Sequence, residues 1–363
     1  MNIALLYIAF FISGAVISFI ITPIIIRIAS SFSIVSRSRF GELGDKNIPL
    51  LGGFSIFISF VLVSGISIFL FDIDGLIKDK NIIGILLGGA IIIIGGYFDD
   101  RFRLRPQFQI IWPLVAAVIV IASGVGISHI TNPVSPDELI YLNTFHIEML
   151  TFKGVPYFFD FPADIISFVW LVGIMYATKL QDGLDGLVTG VSLIATLFIF
   201  MLSFYLFSQF DLALLSIIFA GALTSFLYFN RYPARIYLGE GGSLFTGFVL
   251  GSFAILSDAK VVITLIIFAI PILDAGWTIF RRLKRKQMPW VGDSEHIHHQ
   301  LVHKGISHKK SVYILYSITA LFGMLVFLWQ STLKYYFIGF VLIVLLILAL
   351  FFRWAYSQRS LDN

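Results

Sequence analysis

Five groups of polar residues in a very apolar chain have the types and spacing for work on a charged substrate. Asp99 and Asp100 are adjacent carboxylates followed by Arg101, Arg103 and Arg105. Asp182 and Asp185 are three residues apart, which puts both on one face of a helix start. Gly183 and Gly186 interleave them and let backbone approach a ligand closely. Glu240 lies in Gly239-Glu240-Gly241-Gly242-Ser243, a helix opening whose N–H groups could cradle phosphate. Asp274 stands inside an apolar run about two turns before Arg281. His296-Ile297-His298-His299 holds three of the seven histidines, beside Asp293 and Glu295 and within a strongly basic stretch. Carboxylates can hold Mg²⁺, and Arg and His neutralise phosphate oxygens, so the combination suits a phosphate or diphosphate substrate.

Each group also has a plainer reading. The paired aspartates could be a solvated loop with surface ion pairs. Asp182 and Asp185 could simply decorate a helix N-terminus, where the macrodipole favours acid. A short Gly-rich loop is often only a turn, and Asp274 could be the packing partner of an arginine. The histidines could be a zinc site, which would want a fourth ligand, or plain loop composition. Only the constellation is specific.

The elements that must position these groups are apolar helices. The chain has 363 residues, no cysteine, 58% hydrophobic residues and 13% charged residues, against about 25% charged in soluble domains. Mean hydropathy is +0.94. These values exclude an ordinary soluble enzyme, a disordered chain and a disulfide scaffold. A bilayer needs about 20 apolar residues per helical span, and the chain has many such runs. The expected fold is therefore an all-α polytopic membrane protein, one integral membrane domain over 1–363. Eleven spans are expected, at 3–26, 50–71, 81–97, 108–128, 164–179, 185–208, 212–230, 242–257, 261–280, 311–331 and 335–352. The first run lacks a basic start and is followed by Arg27, so it reads as a span and not as a leader.

With the N-terminus outside, 20 of the 25 basic residues fall on the inner side and 5 on the outer. That bias is the positive-inside pattern and puts the C-terminus in the cytoplasm. The basic balance, pI about 9.1, needs no nucleic acid to explain it. Residues 129–163 form the longest external segment, with a small hairpin expected there, and 281–310 a cytoplasmic loop with the histidines. All five polar groups then gather at the cytoplasmic membrane face. One substrate would be a lipid and the other would come from the cytosol.

In their order along the chain these motifs resemble a known family. Ile48-Pro-Leu-Leu-Gly52-Gly53, Gly96-Tyr-Phe-Asp99-Asp100, Asp182-Gly-Leu-Asp185-Gly186-Leu, Phe229-Asn230-Arg-Tyr-Pro233-Ala234 with Leu238-Gly-Glu240-Gly-Gly-Ser243, and Asp293-Ser-Glu-His296-Ile-His298-His299-Gln-Leu301 run in family order from 46 to 301. The chain resembles the polyprenyl-phosphate N-acetylhexosamine-1-phosphate transferases, closest to the WecA-like branch and related to the MraY-like one. The resemblance implies that a lipid phosphate, undecaprenyl phosphate in a bacterium, attacks the β-phosphate of a UDP-N-acetylhexosamine. The products are a lipid diphosphate sugar and UMP, in the first membrane step of cell-envelope glycan synthesis. It implies Mg²⁺ as cofactor, a multi-pass location in the plasma membrane and a homodimer. By carry-over, Asp99, Asp100, Asp182 and Asp185 are catalytic. Asn230, Asp274, Lys179, His296, His298 and His299 bind substrate, and the HIHH form points to an N-acetylhexosamine sugar and not to the MurNAc-pentapeptide of the MraY-like branch, with GlcNAc the sugar of the WecA-like branch.

Two positions depart from the family pattern. Lys179 stands where the family has Asn, and Glu240 where it has Asp. These are the family's expected Mg²⁺ ligands. A charged lysine has no lone pair to offer a metal, and Glu reaches one methylene further toward an ion that wants near-ideal octahedral geometry. The pair of changes predicts a Lys179–Glu240 ion pair, with the ammonium near the metal position. Two other functions compete: a degenerate homologue that binds lipid phosphate or nucleotide sugar without turnover, and a transporter. A transporter would place its site near the bilayer midplane and often shows repeat halves; the clusters here lie at one face.

Overall fold

A computed structural model of the protein describes residues 3–37, 47–70, 77, 79–131, 138–152, 155–257, 269–284, 296–332, 339, 346–348 and 350–351. The helices are α1 (Ile3–Ser31), α2 (Gly52–Leu70), α3 (Asp79–Phe102), α4 (Pro106–Gln109), α5 (Ile111–Ala122), α6 (Ala163–Gln181), α7 (Leu187–Met201), α8 (Phe210–Asn230), α9 (Gly239–Leu256), α10 (Ala269–Lys284), α11 (Ile297–His303) and α12 (His308–Thr332). Among the described residues, seven helices are long and apolar enough to cross a membrane, counting α7 with the π-turn Leu202–Leu206 that extends it. Two shorter apolar stretches, within α2 and across α4–α5, accompany them. The chain is a polytopic all-α membrane protein. The expected spans at 261–280 and 335–352 fall partly on residues outside the described ones, as do Asp293 and Glu295.

The helices are arranged in shells. In α9, 83% of the apolar window is buried, and in α1 only 22%, so α9 is central and α1 peripheral. The exposed side of α1, with Leu5, Ile12, Phe19 and Ile24, is apolar, as a lipid-facing flank must be. Around α9 the core is a knot of edge-on phenylalanines: Phe60, Phe219, Phe245 and Phe253. Buried hydroxyls turn back to carbonyls one turn earlier, as in Thr196 to Ser192 and Thr246 to Gly242, so their polarity is satisfied within the helix.

Small residues let α9 sit this deep. A methyl group on Gly96 of α3 would collide with the Cα of Gly241, and one on Gly53 of α2 with the Cα of Gly242. Backbones thus touch where α2 and α3 cross the start of α9, the close approach that small residues permit between membrane helices. Gly96→Val should lower the melting temperature of the detergent-solubilised protein, since overpacking costs about 1–3 kcal/mol. An unchanged melting curve would contradict this tight crossing.

Several sequence expectations shift. The third helix does not end at residue 97 but runs to Phe102, so Asp99 and Asp100 occupy its last turn. The fourth span begins at Pro106 and not at 108, because Pro suits the first helical position. It ends at Ala122 and not at 128, where Gly124 takes φ +95°. Residues 129–162 hold two antiparallel pairs, β3 (His129–Thr131) with β4 (Leu139–Tyr141), and β5 (Asn143–Phe152) with β6 (Val155–Pro162). Within 281–310, the described residues hold the end of α10, α11 and the start of α12.

Candidate active site

The site is assembled where one end of the bundle gathers helix termini: the C-termini of α3, α6 and α8 and the N-termini of α2, α7, α9 and α12. A third small pair, β1 (Val35–Arg37) with β2 (Asn47–Pro49), ties the end of α1 to the segment before α2. That segment is then pinned by main-chain bonds. Tyr237 N–H donates to Pro49, Gly52 N–H to the Tyr237 carbonyl and Gly53 N–H to the Leu238 carbonyl, each at 2.9 Å. The loop 231–238 is thereby fixed beside the end of α3.

Asp100 and Glu240 meet across this crossing. Asp100 accepts the Glu240 N–H at 3.1 Å, so it satisfies one of the open donors at the start of α9. Gly239, at φ +75°, lets the carboxylate lie against its backbone. Asp99, Asp182 and Glu240 are close enough to act electrostatically on Asp100, and Asp99 and Asp182 act likewise on Glu240. Asp100 and Glu240 thus lie within electrostatic reach of each other, of Asp99 and of Asp182.

Lys179, in the last turn of α6, forms an ion pair with Glu240. Its ammonium also donates to the Gln109 side-chain carbonyl at 3.4 Å. Gln109 in turn donates to Asp99 at 2.8 Å and to the Leu104 carbonyl at 3.0 Å, while Leu104 N–H donates to the same Asp99 oxygen at 2.9 Å. A chain of contacts thus runs Asp99–Gln109–Lys179–Glu240, and Glu240's own N–H closes onto Asp100. The ion pair expected from the two departures is present. Gln109 was not foreseen; a single amide after Arg105-Pro106 carries no motif, and only the α4 turn brings it here.

The histidines join from the other side. Asp274 of α10 accepts from His296 Nδ1 at 3.0 Å and from Ile297 N–H at 2.8 Å. It therefore caps α11 and fixes the His296 ring, whose proton sits on Nδ1 facing the carboxylate. His296 and His298 rings lie parallel with centroids 5.7 Å apart, and His298 and His299 centroids are 4.2 Å apart. The His298 ring rests directly on Gly183, where an added methyl would overlap Nε2. The histidine segment and the Asp182–Leu187 segment are thus one unit.

Asp185 and Asn230 are placed more deeply than their motifs suggest. Asp185 is buried, accepts from Ala234 N–H at 3.0 Å, and its own N–H donates to His308 Nε2 at 3.0 Å. Asn230 accepts from Thr189 at 2.7 Å and donates to the Ile236 carbonyl at 2.9 Å. The amino group of Asn230 therefore serves the 231–238 loop, while its carbonyl ties the end of α8 to α7. His308, at the start of α12, is a further residue that the motifs did not reveal.

The donors present do not fit Mg²⁺ at Glu240. The Glu240 carboxylate and the Gln109 carbonyl are turned to an ammonium, and among the described residues no three His, Asp or Glu are grouped to hold a metal. Two unit charges at 4 Å interact by about 4 kcal/mol near a protein surface, and a divalent ion beside Lys179 doubles that repulsion.

Comparison with known proteins places the chain. The profile of Glycosyl transferase family 4 matches residues 82–258. The chain is 31% identical over 333 residues to the "Probable undecaprenyl-phosphate N-acetylglucosaminyl 1-phosphate transferase" of Bacillus subtilis, covering 90% of this chain and 86% of that protein. It is 26% identical to the undecaprenyl-phosphate alpha-N-acetylglucosaminyl 1-phosphate transferase of Thermotoga maritima, over 96% of this chain and 98% of the other. It is also 26% identical to the phospho-N-acetylmuramoyl-pentapeptide-transferase of Staphylococcus epidermidis, over 85% and 94%. With the motifs in order and the similarity running nearly end to end, the chain belongs to glycosyl transferase family 4, the polyprenyl-phosphate N-acetylhexosamine-1-phosphate transferases.

Proposed function

We propose that this protein transfers N-acetylglucosamine-1-phosphate from UDP-GlcNAc to a polyprenyl phosphate, undecaprenyl phosphate in a bacterium, at the cytoplasmic face of the plasma membrane. The observation that carries the reading is the meeting of Asp99, Asp100, Asp182 and Glu240 with the histidine segment at one end of a membrane bundle. The names of the relatives supply the substrate class.

The chemistry is a phosphoryl displacement. A lipid phosphate oxygen forms a bond to the sugar-bearing phosphorus. The bond from that phosphorus to the bridging oxygen breaks, and its electron pair leaves on UMP. No proton is exchanged overall when the lipid phosphate enters as a dianion. Such reactions depend on positioning and on meeting the charge of the phosphoryl oxygens. One oxygen of Asp99 is fixed by Leu104 and Gln109; the other takes the proton of a lipid phosphate that arrives as a monoanion. Asp182 lies at the junction between the carboxylates and the histidines and positions the diphosphate between them. His296, His298 and His299 bind the diphosphate and sugar. Asp185 and Asn230 hold the loops that carry these groups and act as positioning residues.

The test is UMP release by purified protein given undecaprenyl phosphate and UDP-GlcNAc. Release that needs both substrates is the expected result. UDP-GlcNAc binding without release, repeated across other UDP-sugars, would replace this reading with the non-catalytic one.

A further inference from the structure

We propose that Lys179 is the resident cation of this site, so that its ammonium, and no divalent metal at Glu240, meets the charge of the reacting phosphates. The inference rests on the transferase reading and adds the identity of the cation. Lys179 is held beside the acidic residues from two sides: by the ion pair to Glu240 and through Gln109 to Asp99. Its stem rises from the last turn of α6, and the ammonium also lies 5.4 Å from the centre of the Tyr176 ring. A tethered cation in this position has the charge needed beside carboxylates that must admit a diphosphate. It arrives with the fold and does not exchange with solvent.

The chemistry is consistent with a lysine. As the bridging oxygen leaves with its electron pair, negative charge grows on UMP and on the phosphoryl oxygens. An ammonium donates hydrogen bonds to such oxygens without changing its own protonation. It also lessens the repulsion between those oxygens and Asp99, Asp100, Asp182 and Glu240. Lys179 would touch the diphosphate and so be a catalytic residue, with Gln109 its positioning partner. Glu240 would hold the lysine in place, at the position where the resemblance implies an acid that holds metal.

Two measurements on the purified, detergent-solubilised protein decide it. In the first, Mn²⁺ is titrated and followed by electron paramagnetic resonance, which requires no turnover. The wild type should show no saturable site, and the double variant Lys179→Asn with Glu240→Asp should gain one. In the second, UMP release is measured with EDTA and then with excess Mg²⁺. Wild-type rates should differ by less than about twofold, and the double variant should fall at least about tenfold in EDTA and recover in Mg²⁺. A wild type that binds Mn²⁺ saturably and loses UMP release in EDTA overturns the proposal. Should the double variant not fold, the wild-type arms decide alone. If no UMP appears under any condition, the transferase reading fails, and saturable Mn²⁺ binding by the wild type would then separately refute the lysine as the site's cation.

Discussion

Gly183→Ala should cut UMP release about 10²-fold while leaving the bundle folded. The magnitude follows from geometry: misplacing reacting groups by about 1 Å can cost 10²-fold in rate. A methyl on Gly183 would occupy the space of His298 Nε2. His298 is buried on α11, so its ring cannot swing into solvent, and the helix or the Asp182–Leu187 segment must shift. The loss should be in kcat more than in thermal stability, because the affected contact joins two site segments at the bundle's end. A double-mutant cycle separates this from a general defect. Once His298→Ala has removed the ring, adding Gly183→Ala should cost little, whereas independent sites would show additive losses. Additive losses would mean that the two segments do not work as one unit.

Asp274→Asn should lower the rate further, on the order of 10³-fold, with little loss of fold. Replacing a histidine-orienting carboxylate by its amide can cost up to about 10⁴-fold, because the amide imposes the wrong tautomer. Here the Asn carbonyl can still accept from Ile297 N–H, so the cap on α11 survives. The Asn amino group would then face His296 Nδ1 and donate to it, moving the ring proton to Nε2. The ring edge turned away from Asp274 would then present a donor in place of the acceptor that, in the proposed site, takes a hydroxyl of the sugar. Asp274→Ala is the contrasting variant. It removes both bonds, each worth about 1.5–3 kcal/mol when charged, and should lower stability as well as rate. The checks are UMP release and the melting temperature of all three proteins. An Asn variant as active as wild type would remove His296 from the chemistry.

Much of this arrangement is legible in the sequence because two kinds of pattern are strong. Apolar runs of span length force helices, since nothing else satisfies a backbone in lipid. Acidic residues in such a chain are costly, so Asp99, Asp182 and Asp274 mark themselves out. The Lys179–Glu240 pair is legible for a subtler reason: two departures of opposite charge in one constellation suggest that they compensate each other. Gln109 is hidden because a lone amide has no periodicity or partner in sequence, and its place depends on a break between α4 and α5. His308 is hidden among the neighbouring Lys309 and Lys310, where it reads as part of a basic stretch. Asn230 shows the opposite case. Its motif stands out, but its side-chain groups are turned inward to Thr189 and Ile236. A motif marks where precision is needed, and that need can be met by holding a loop as well as by touching a substrate.

The two walls of the site are secured by different means, and this bears on how the protein can be altered. The wall formed by Pro49–Gly53 and Tyr237–Leu238 is stitched through carbonyls and amides, so side chains there can be exchanged without undoing the stitches, provided the glycines remain. The wall formed by α11 depends on the Asp274 side chain and on the burial of Ile297 and Leu301. Its position can be re-tuned by single substitutions, and the same substitutions can destroy it. Variation that redirects the enzyme to another nucleotide sugar should therefore accumulate on and around α11. On the proposed function, the wall beside Asp99 and Asp100, built on a main-chain frame, is the part that selection can leave in place while acceptance of the sugar drifts.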